Sequence, residues 1–163
     1  MDYEVQRFTR RCAATDREFT PGETFYSVLM AEGAAVVRHD YAAEAWPGPP
    51  AEALGWWKSQ LPGADAKPKK PQWAPSDVML QLFDELAERP EQIDLRYVLA
   101  LLLLRRRVLR LEDTEPDASG NETMLLYCPR RETDYRVTVN VPDAARTEQI
   151  QQELARLLVN QAA

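Results

Sequence analysis

The first third of the chain alternates between apolar and polar positions in a way that is typical of β-strands. Residues 24–30 are rich in aromatic and β-branched side chains, and residues 35–41 repeat the character after a turn at Gly33. Two such segments joined by a short turn predict an antiparallel hairpin. A weaker alternation over residues 3–8 predicts a short edge strand ahead of it.

From Ser76 onward the apolar residues recur with the period of an α-helix. Ser76 is a suitable N-cap, and one helical face then carries Met79, Leu82, Phe83 and Leu86. Pro90 separates this helix from a second one, predicted over Gln92–Arg107. Because the second helix is apolar on all sides between Tyr97 and Leu104, we expect several neighbours to bury it.

The last third of the chain predicts three strands and a final helix. The strands are expected at Val108–Glu112, Thr123–Cys128 and Tyr135–Val141, and the last of them alternates regularly between apolar and polar residues. Pro142 ends that strand. The final helix is expected to start near Asp143 or Thr147 and to end near Asn160.

All four tryptophans and seven of the twelve prolines fall within residues 46–75, which we call the strap. A short helix is predicted at Ala51–Gln60, carrying Trp56 and Trp57, and the KPKKP stretch at 67–71 resembles a linker. Exposed tryptophans are costly in a free linker. Two interpretations stay open: the rings staple the chain internally, or Trp56, Trp57 or the segment 68–71 anchors a partner.

Together these segments predict an α+β fold. A small N-terminal antiparallel β-hairpin lobe (1–45) leads through the Trp/Pro-rich strap (46–75) into a helix-helix-sheet-helix lobe (76–163). In this last lobe two helices precede a three-stranded antiparallel meander and a C-terminal helix follows it. No catalytic, nucleotide-binding or internal-repeat motif is present.

Composition favours a folded protein of the cytoplasm. The chain has 163 residues, of which 45% are hydrophobic, and a net charge of −6. Its longest apolar run is eight residues, whereas a membrane-spanning helix needs about twenty. The first ten residues are polar and charged, unlike a signal peptide. The acidic balance argues against general nucleic-acid binding, which would require a local basic patch.

Such a patch is available among the arginines. Its candidates are Arg105, Arg106, Arg107, Arg110, Arg130 and Arg131. If the strands pair as predicted, Arg110 and Arg136 share an edge or face of the sheet, where they would attract an acidic partner or a phosphate backbone. The alternative, favoured by the net negative charge, is that these arginines end a buried helix and pair with the surplus carboxylates.

The candidates for catalysis and metal binding are few. His39, the single histidine, shares one strand face with Val37 and Tyr41 and is expected to be partly buried and to cap the core of the sheet. Neighbouring Asp40 points to the opposite face. Zinc would need about four ligands, and Cys12, His39 and Cys128 could meet only through tertiary folding. A single disulfide between the two cysteines is compatible with the sequence. We predict neither a metal nor a cofactor.

The N-terminal segment resembles that of a group of bacterial proteins with no assigned function. The resemblance rests on Cys12-Ala-Ala-Thr15-Asp-Arg17-Glu18 followed by Pro21-Gly22-Glu23, and extends to Trp46–Trp57 and Phe83–Glu112. The group is expected to have glycine at the position of Asp16. The turn from Thr15 to Arg17 is also similar to a zinc-knuckle turn, without the paired cysteines.

The leading functional hypothesis is a non-enzymatic protein-binding or adaptor protein of the bacterial cytoplasm. The residues expected to bind the partner are Trp56, Trp57, Arg105, Arg106 and Arg110. One alternative is an accessory factor that binds nucleic acid through the arginine patch. Another is an enzyme whose site is assembled from distant residues such as Cys12, His39 and Asp40.

Overall fold

The computed structural model describes residues 11–33, 35–61 and 72–160 of the chain. Over this part the protein has the predicted α+β architecture, with three α-helices and two three-stranded antiparallel sheets. The edge strand predicted at 3–8 and the linker predicted at 67–71 lie outside the described residues. The chain forms two compact units, residues 1–78 with 155–163 and residues 79–154.

The sheet of the first unit is built from the predicted hairpin and one further strand. Strands β1 (Thr24–Glu32) and β2 (Ala35–Ala42) form the hairpin, and β3 (Gly55–Gln60) pairs antiparallel with the other edge of β1. The helix predicted at Ala51–Gln60 is therefore wrong. The adjacent tryptophans suit a strand, because alternation sends one ring to each face of the sheet.

A second, two-stranded sheet ties the C-terminal end of the chain to the first unit. Strand β4 (Gln72–Trp73) pairs antiparallel with β8 (Val159–Asn160). Next to this pair, the Ala74 N–H donates a hydrogen bond of 2.7 Å to the Leu158 carbonyl oxygen. This pairing is non-local, so no periodicity in either segment predicts it.

The helices of the second unit bury one face each. Helix α1 (Ser76–Leu86) starts at the predicted cap, and its expected apolar face is fully buried. Helix α2 (Ile93–Arg105) buries Leu95, Leu99, Ala100 and Leu103. The expectation that α2 is buried on all sides is wrong, because Leu101 is 41% exposed. No helix in the described part of the chain has the length and apolar character needed to cross a membrane.

The sheet of the second unit is the predicted meander. Its order is β5 (Arg110–Pro116), β6 (Glu122–Cys128) and β7 (Thr133–Thr138), all antiparallel. Strand β7 ends earlier than predicted, so Val141 is exposed instead of continuing the buried face. Helix α3 (Ala144–Leu158) buries Ile150, Leu154, Leu157 and Leu158 as the helical period predicted.

Candidate functional site

Four aromatic rings gather on the outer face of the β2-β1-β3 sheet, and we call this cluster the aromatic face. Its members are Tyr26, Tyr41, Trp46 and Trp56. Trp46 stacks nearly parallel on Tyr26, with ring centroids 5.1 Å apart, and lies 5.3 Å from Tyr41. Trp56 is 6.0 Å from Trp46 and 6.1 Å from Tyr26. The result is a continuous aromatic surface on a sheet.

Strand register places these rings together. Tyr26 lies directly opposite Tyr41 on β2, and Val28, two residues further along β1, lies opposite Trp56 on β3. Residues two apart on a strand share a face, so all three rings lie on the same face of the sheet. Trp46 follows a 3₁₀ turn after β2 and folds back over Tyr26. Trp56 is 44% exposed, which is unusual for so large an apolar side chain.

Trp57 lies on the opposite, inner face of the same strand and is only 5% exposed. The guanidinium carbon of Arg38 is 4.8 Å from the centre of its ring. Its indole Nε1 is buried and has no hydrogen-bond partner within the part of the chain that the structure describes. The two neighbouring tryptophans therefore differ: Trp57 is a core residue and Trp56 is accessible to a partner.

A buried polar cluster lies beside Trp57 on the inner face. Arg38 Nε donates to Asp40 Oδ1 at 3.0 Å, and the Ser27 hydroxyl donates to the same carboxylate oxygen. The other nitrogens of Arg38 reach the Ser27 hydroxyl (3.1 Å) and the carbonyl oxygens of Val159 (3.2 Å) and Leu157 (3.4 Å). Through these hydrogen bonds, Arg38 connects strand β2 to the Leu157 carbonyl at the end of α3 and to the Val159 carbonyl in β8.

Sequence reasoning missed this cluster because the wrong face of β2 looked apolar. The expected core face carries Val37, His39 and Tyr41, whereas the more deeply buried face carries Val36, Arg38, Asp40 and Ala42. His39 is partly buried, as expected, and its Nε2 is 3.1 Å from a carboxylate oxygen of Glu32. A signal did exist: opposite charges at positions i and i+2 of a strand share a face and can pair.

The turn at the start of the described chain is built around Cys12. The Cys12 N–H donates to the Arg17 carbonyl at 2.9 Å, and the Asp16 N–H donates back to the Cys12 carbonyl at 2.7 Å. Asp16 has a φ of 55°, a left-handed conformation that glycine adopts without steric cost. Glycine is the residue that the resemblance expects at this position.

The Cys12 side chain is buried with Phe19, Phe25 and Ala42. Burial by itself raises the pKa of the Cys12 thiol, but hydrogen bonds from the Thr15 side chain and from backbone N–H groups, including that of Ala42, lower it further than burial raises it. Cys12 and Cys128 are both free and buried. Over residues 11–33, 35–61 and 72–160, no three His, Cys, Asp or Glu side chains are grouped so as to hold a metal ion.

An ion cluster closes the next turn. Glu23 accepts hydrogen bonds from the Thr20 N–H at 2.9 Å and from Arg17, and Arg17 also donates to Glu44 at 2.6 Å. Gly22, at a φ of 81°, supplies the left-handed residue of the turn. The hydrogen bond from Arg17 is the main reason that the pKa of Glu23 falls to about 2.

This shift predicts a defined loss of stability in acid. An unfolded glutamate has a pKa near 4.5, above that of folded Glu23, so the unfolded state takes up the proton first as pH falls. The contribution of Glu23 is complete well above pH 4.5 and disappears between pH 4.5 and about 2. As the pH falls through this range, the free energy of unfolding measured in urea is expected to decrease less for Glu23→Gln than for wild type. Exposed Glu91→Gln is the matched control. If the free energy of unfolding has the same pH dependence in Glu23→Gln and wild type, the assignment is contradicted.

The arginines of the second unit fall into two groups. Arg110 lies opposite Tyr127 and Arg136 opposite Leu125, so both flank β6 on one face, as the strand pattern predicted. Each has a carboxylate partner, Glu112 at 3.4 Å and Glu115 at 2.8 Å respectively. By contrast, Arg105, Arg106 and Arg107 are exposed, and no carboxylate of the described ranges pairs with them.

Comparison with known proteins does not assign a role to the aromatic face or to these arginines. No protein-family model, no curated protein and no solved structure matches the chain. Function must therefore be argued from the chemistry of the side chains that the fold brings together or leaves accessible.

Proposed function

We propose that this chain is a non-enzymatic protein-binding or adaptor protein of the bacterial cytoplasm, and that its partner contacts the aromatic face. The observation that carries the proposal is the exposed ring of Trp56, held in a cluster with Tyr26, Tyr41 and Trp46. Tryptophan and tyrosine are the side chains most often found at the energetic centre of protein interfaces.

The rings of the aromatic face already contact one another in the unbound chain, and this strengthens the proposal. Binding loses free energy wherever a side chain must be immobilised, at about 0.5–1.5 kcal/mol for each flexible side chain. Here Trp46 is already stacked on Tyr26, and Trp56 already touches both rings. A partner that covers them would remove apolar area from water while ordering little that is not ordered beforehand.

The proposal uses only part of the set expected from the sequence. Trp57 is buried under Arg38 and offers no free ring face, so its role is structural. Trp56 keeps the role of anchor. Arg105, Arg106 and Arg110 belong to the other unit and form no part of the aromatic face.

Affinity capture with a matched pair of variants tests the proposal. Proteins retained from a lysate of the source organism by wild type are expected to be lost with Trp56→Ala, since an interface tryptophan is worth about 2 kcal/mol, or roughly 30-fold in Kd. Leu111→Ala removes a comparably exposed apolar side chain elsewhere and is expected to retain them. Calorimetry with the purified partner then measures the ratio of the Kd of Trp56→Ala to that of wild type. If both variants retain the same proteins as wild type, the aromatic face is not the binding surface.

The alternatives have less support from the described contacts. An enzyme around His39 would need a catalytic partner for it, but Asp40 lies on the opposite side of β2 from the His39 ring. A nucleic-acid role would use Arg105, Arg106 and Arg107. Phosphate contacts alone do not account for the exposed apolar side chain of Leu101, which lies on the same helix as Arg105.

A further inference from the structure

The outer side of helix α2 is apolar although it faces away from the core of its unit. At 100° per residue, Tyr97, Val98, Leu101 and Leu104 fall on one side, opposite buried Leu95, Leu99 and Leu103. We call these four residues the α2 stripe. Leu101, at its centre, is 41% exposed, and the other three are partly exposed. A solvent-facing helix surface normally carries charged or polar residues at such positions.

Three consecutive arginines stand at the C-terminal end of the α2 stripe. Five other arginines of this unit have carboxylate partners: Arg89, Arg110, Arg131, Arg136 and Arg146. Arg105, Arg106 and Arg107 have none among the residues that the structure describes, although the chain carries a net charge of −6. They are therefore a local positive surface left over after the internal ion pairs of the unit are formed.

Arg107 occupies a position where local geometry favours glycine. The Arg107 N–H donates to Leu104 O at 3.0 Å and the Val108 N–H to Leu103 O at 2.9 Å, the hydrogen bonds of a Schellman C-cap. Arg107 has a φ of 62°, a left-handed conformation that is unfavourable for a residue with a Cβ. A strained backbone position with a charged, exposed side chain points to a use for that side chain.

We propose that the α2 stripe and Arg105–Arg107 form a docking site for an amphipathic helix of a partner protein. That helix would set apolar side chains against Tyr97, Val98, Leu101 and Leu104, and Asp or Glu side chains opposite the arginines. An apolar strip next to unpaired cations is complementary to such a helix. A phosphate backbone would satisfy the cations and leave the apolar strip in water.

The site goes beyond the proposed function, because it uses none of the residues of the aromatic face. Loss of binding through Trp56→Ala and loss of binding through a change in the α2 stripe are separate results. The chain would then be able to hold two partners, which is what an adaptor does.

Fluorescence anisotropy with designed peptides tests the docking site. The probe is a labelled helical peptide of about 18 residues with leucines on one side and glutamates on the other. Its counterparts carry lysine for every glutamate, or the same composition in scrambled order. Wild type is expected to bind the acidic peptide at least about tenfold more tightly than either counterpart. Tightest binding of the lysine peptide would overturn the proposal.

Variants of the protein locate the site. Leu101→Ser and Arg105→Gln/Arg106→Gln are each expected to weaken binding of the acidic peptide by about tenfold. Val141→Ser and Arg136→Gln change an exposed apolar residue and an already paired arginine, and are expected to bind as wild type does. Arg107→Gly is expected to raise the melting temperature and weaken binding together. All substituted residues except Arg107 have ordinary backbone geometry and exposed side chains, so the variants should fold, and circular dichroism verifies this.

Three further outcomes would overturn the proposal. The first is unchanged affinity in Leu101→Ser. The second is tighter binding of a short random-sequence DNA duplex that Leu101→Ser leaves unaltered, which would favour a nucleic-acid role. The third is a wild-type dimer in sedimentation that Leu101→Ser converts to monomer, which would make a second copy of this chain the occupant.

Discussion

Replacing Arg38 with methionine is expected to cost about 3–5 kcal/mol of unfolding free energy, because it breaks a buried ion pair with the Asp40 carboxylate. The substitution also removes the hydrogen bonds to the Leu157 and Val159 carbonyls. Small domains are stable by only about 5–15 kcal/mol, so this variant should be close to unfolding. Urea denaturation followed by circular dichroism measures the change.

An exposed ion pair in the same chain provides the control. Arg136→Met removes the partner of Glu115 where both side chains are in water, and a loss of about 0–1 kcal/mol is expected. A double variant, Arg38→Met/Asp40→Leu, removes both buried charges and should recover part of the loss. A loss below 1 kcal/mol in Arg38→Met would mean that the buried pair does not hold the C-terminal segment in place.

The second large effect is a difference in the loss of unfolding free energy between alanine variants of two adjacent tryptophans. Trp57→Ala is expected to cost about 3–5 kcal/mol, the usual loss for deleting a buried ring. Trp56→Ala should cost about 1 kcal/mol of unfolding free energy, the value of its ring contacts, while weakening partner binding roughly 30-fold. Trp57→Phe should cost less than about 1.5 kcal/mol, because it keeps a ring and removes an indole N–H that has no partner in the described chain.

Chemical denaturation of the three variants side by side checks this prediction. The comparison is internally matched, since the two alanine substitutions are neighbours on strand β3 and remove identical side chains. Equal losses for Trp56→Ala and Trp57→Ala would show that Trp56 is also a structural residue. In that case its use as a binding anchor would lose its main support.

Local periodicity predicted the element types well where one pattern dominated. The hairpin of β1 and β2, the helices α1 and α3 and the meander β5-β6-β7 follow from alternation or from the helical repeat, and the structure has them. The helix predicted in the strap is wrong because Ala51–Gln60 contains both helix-favouring and strand-favouring residues. Only pairing with β1 makes its second half a strand.

The candidate sites depended on which face of each element is covered. The alternation on β2 showed two faces, and its apolar residues suggested that Val37, His39 and Tyr41 face the core. The structure buries the face of Arg38 and Asp40 more deeply, because carbonyls at Leu157 and Val159 supply acceptors for Arg38. Likewise, the middle of α2 is apolar on every side, so its sequence does not indicate which side is buried and which is exposed.

By itself the sequence determined an α+β chain with a hairpin, an aromatic strap and a helix-helix-meander-helix succession, since period and turn residues act over a few positions. Tertiary structure decided that Trp56 is exposed and Trp57 buried, and that Arg38 is joined to acceptors some 119 residues away. It also decided that Leu101, at the centre of the α2 stripe, is exposed. Burial is a property of what a distant segment brings to a surface, and no local pattern encodes it.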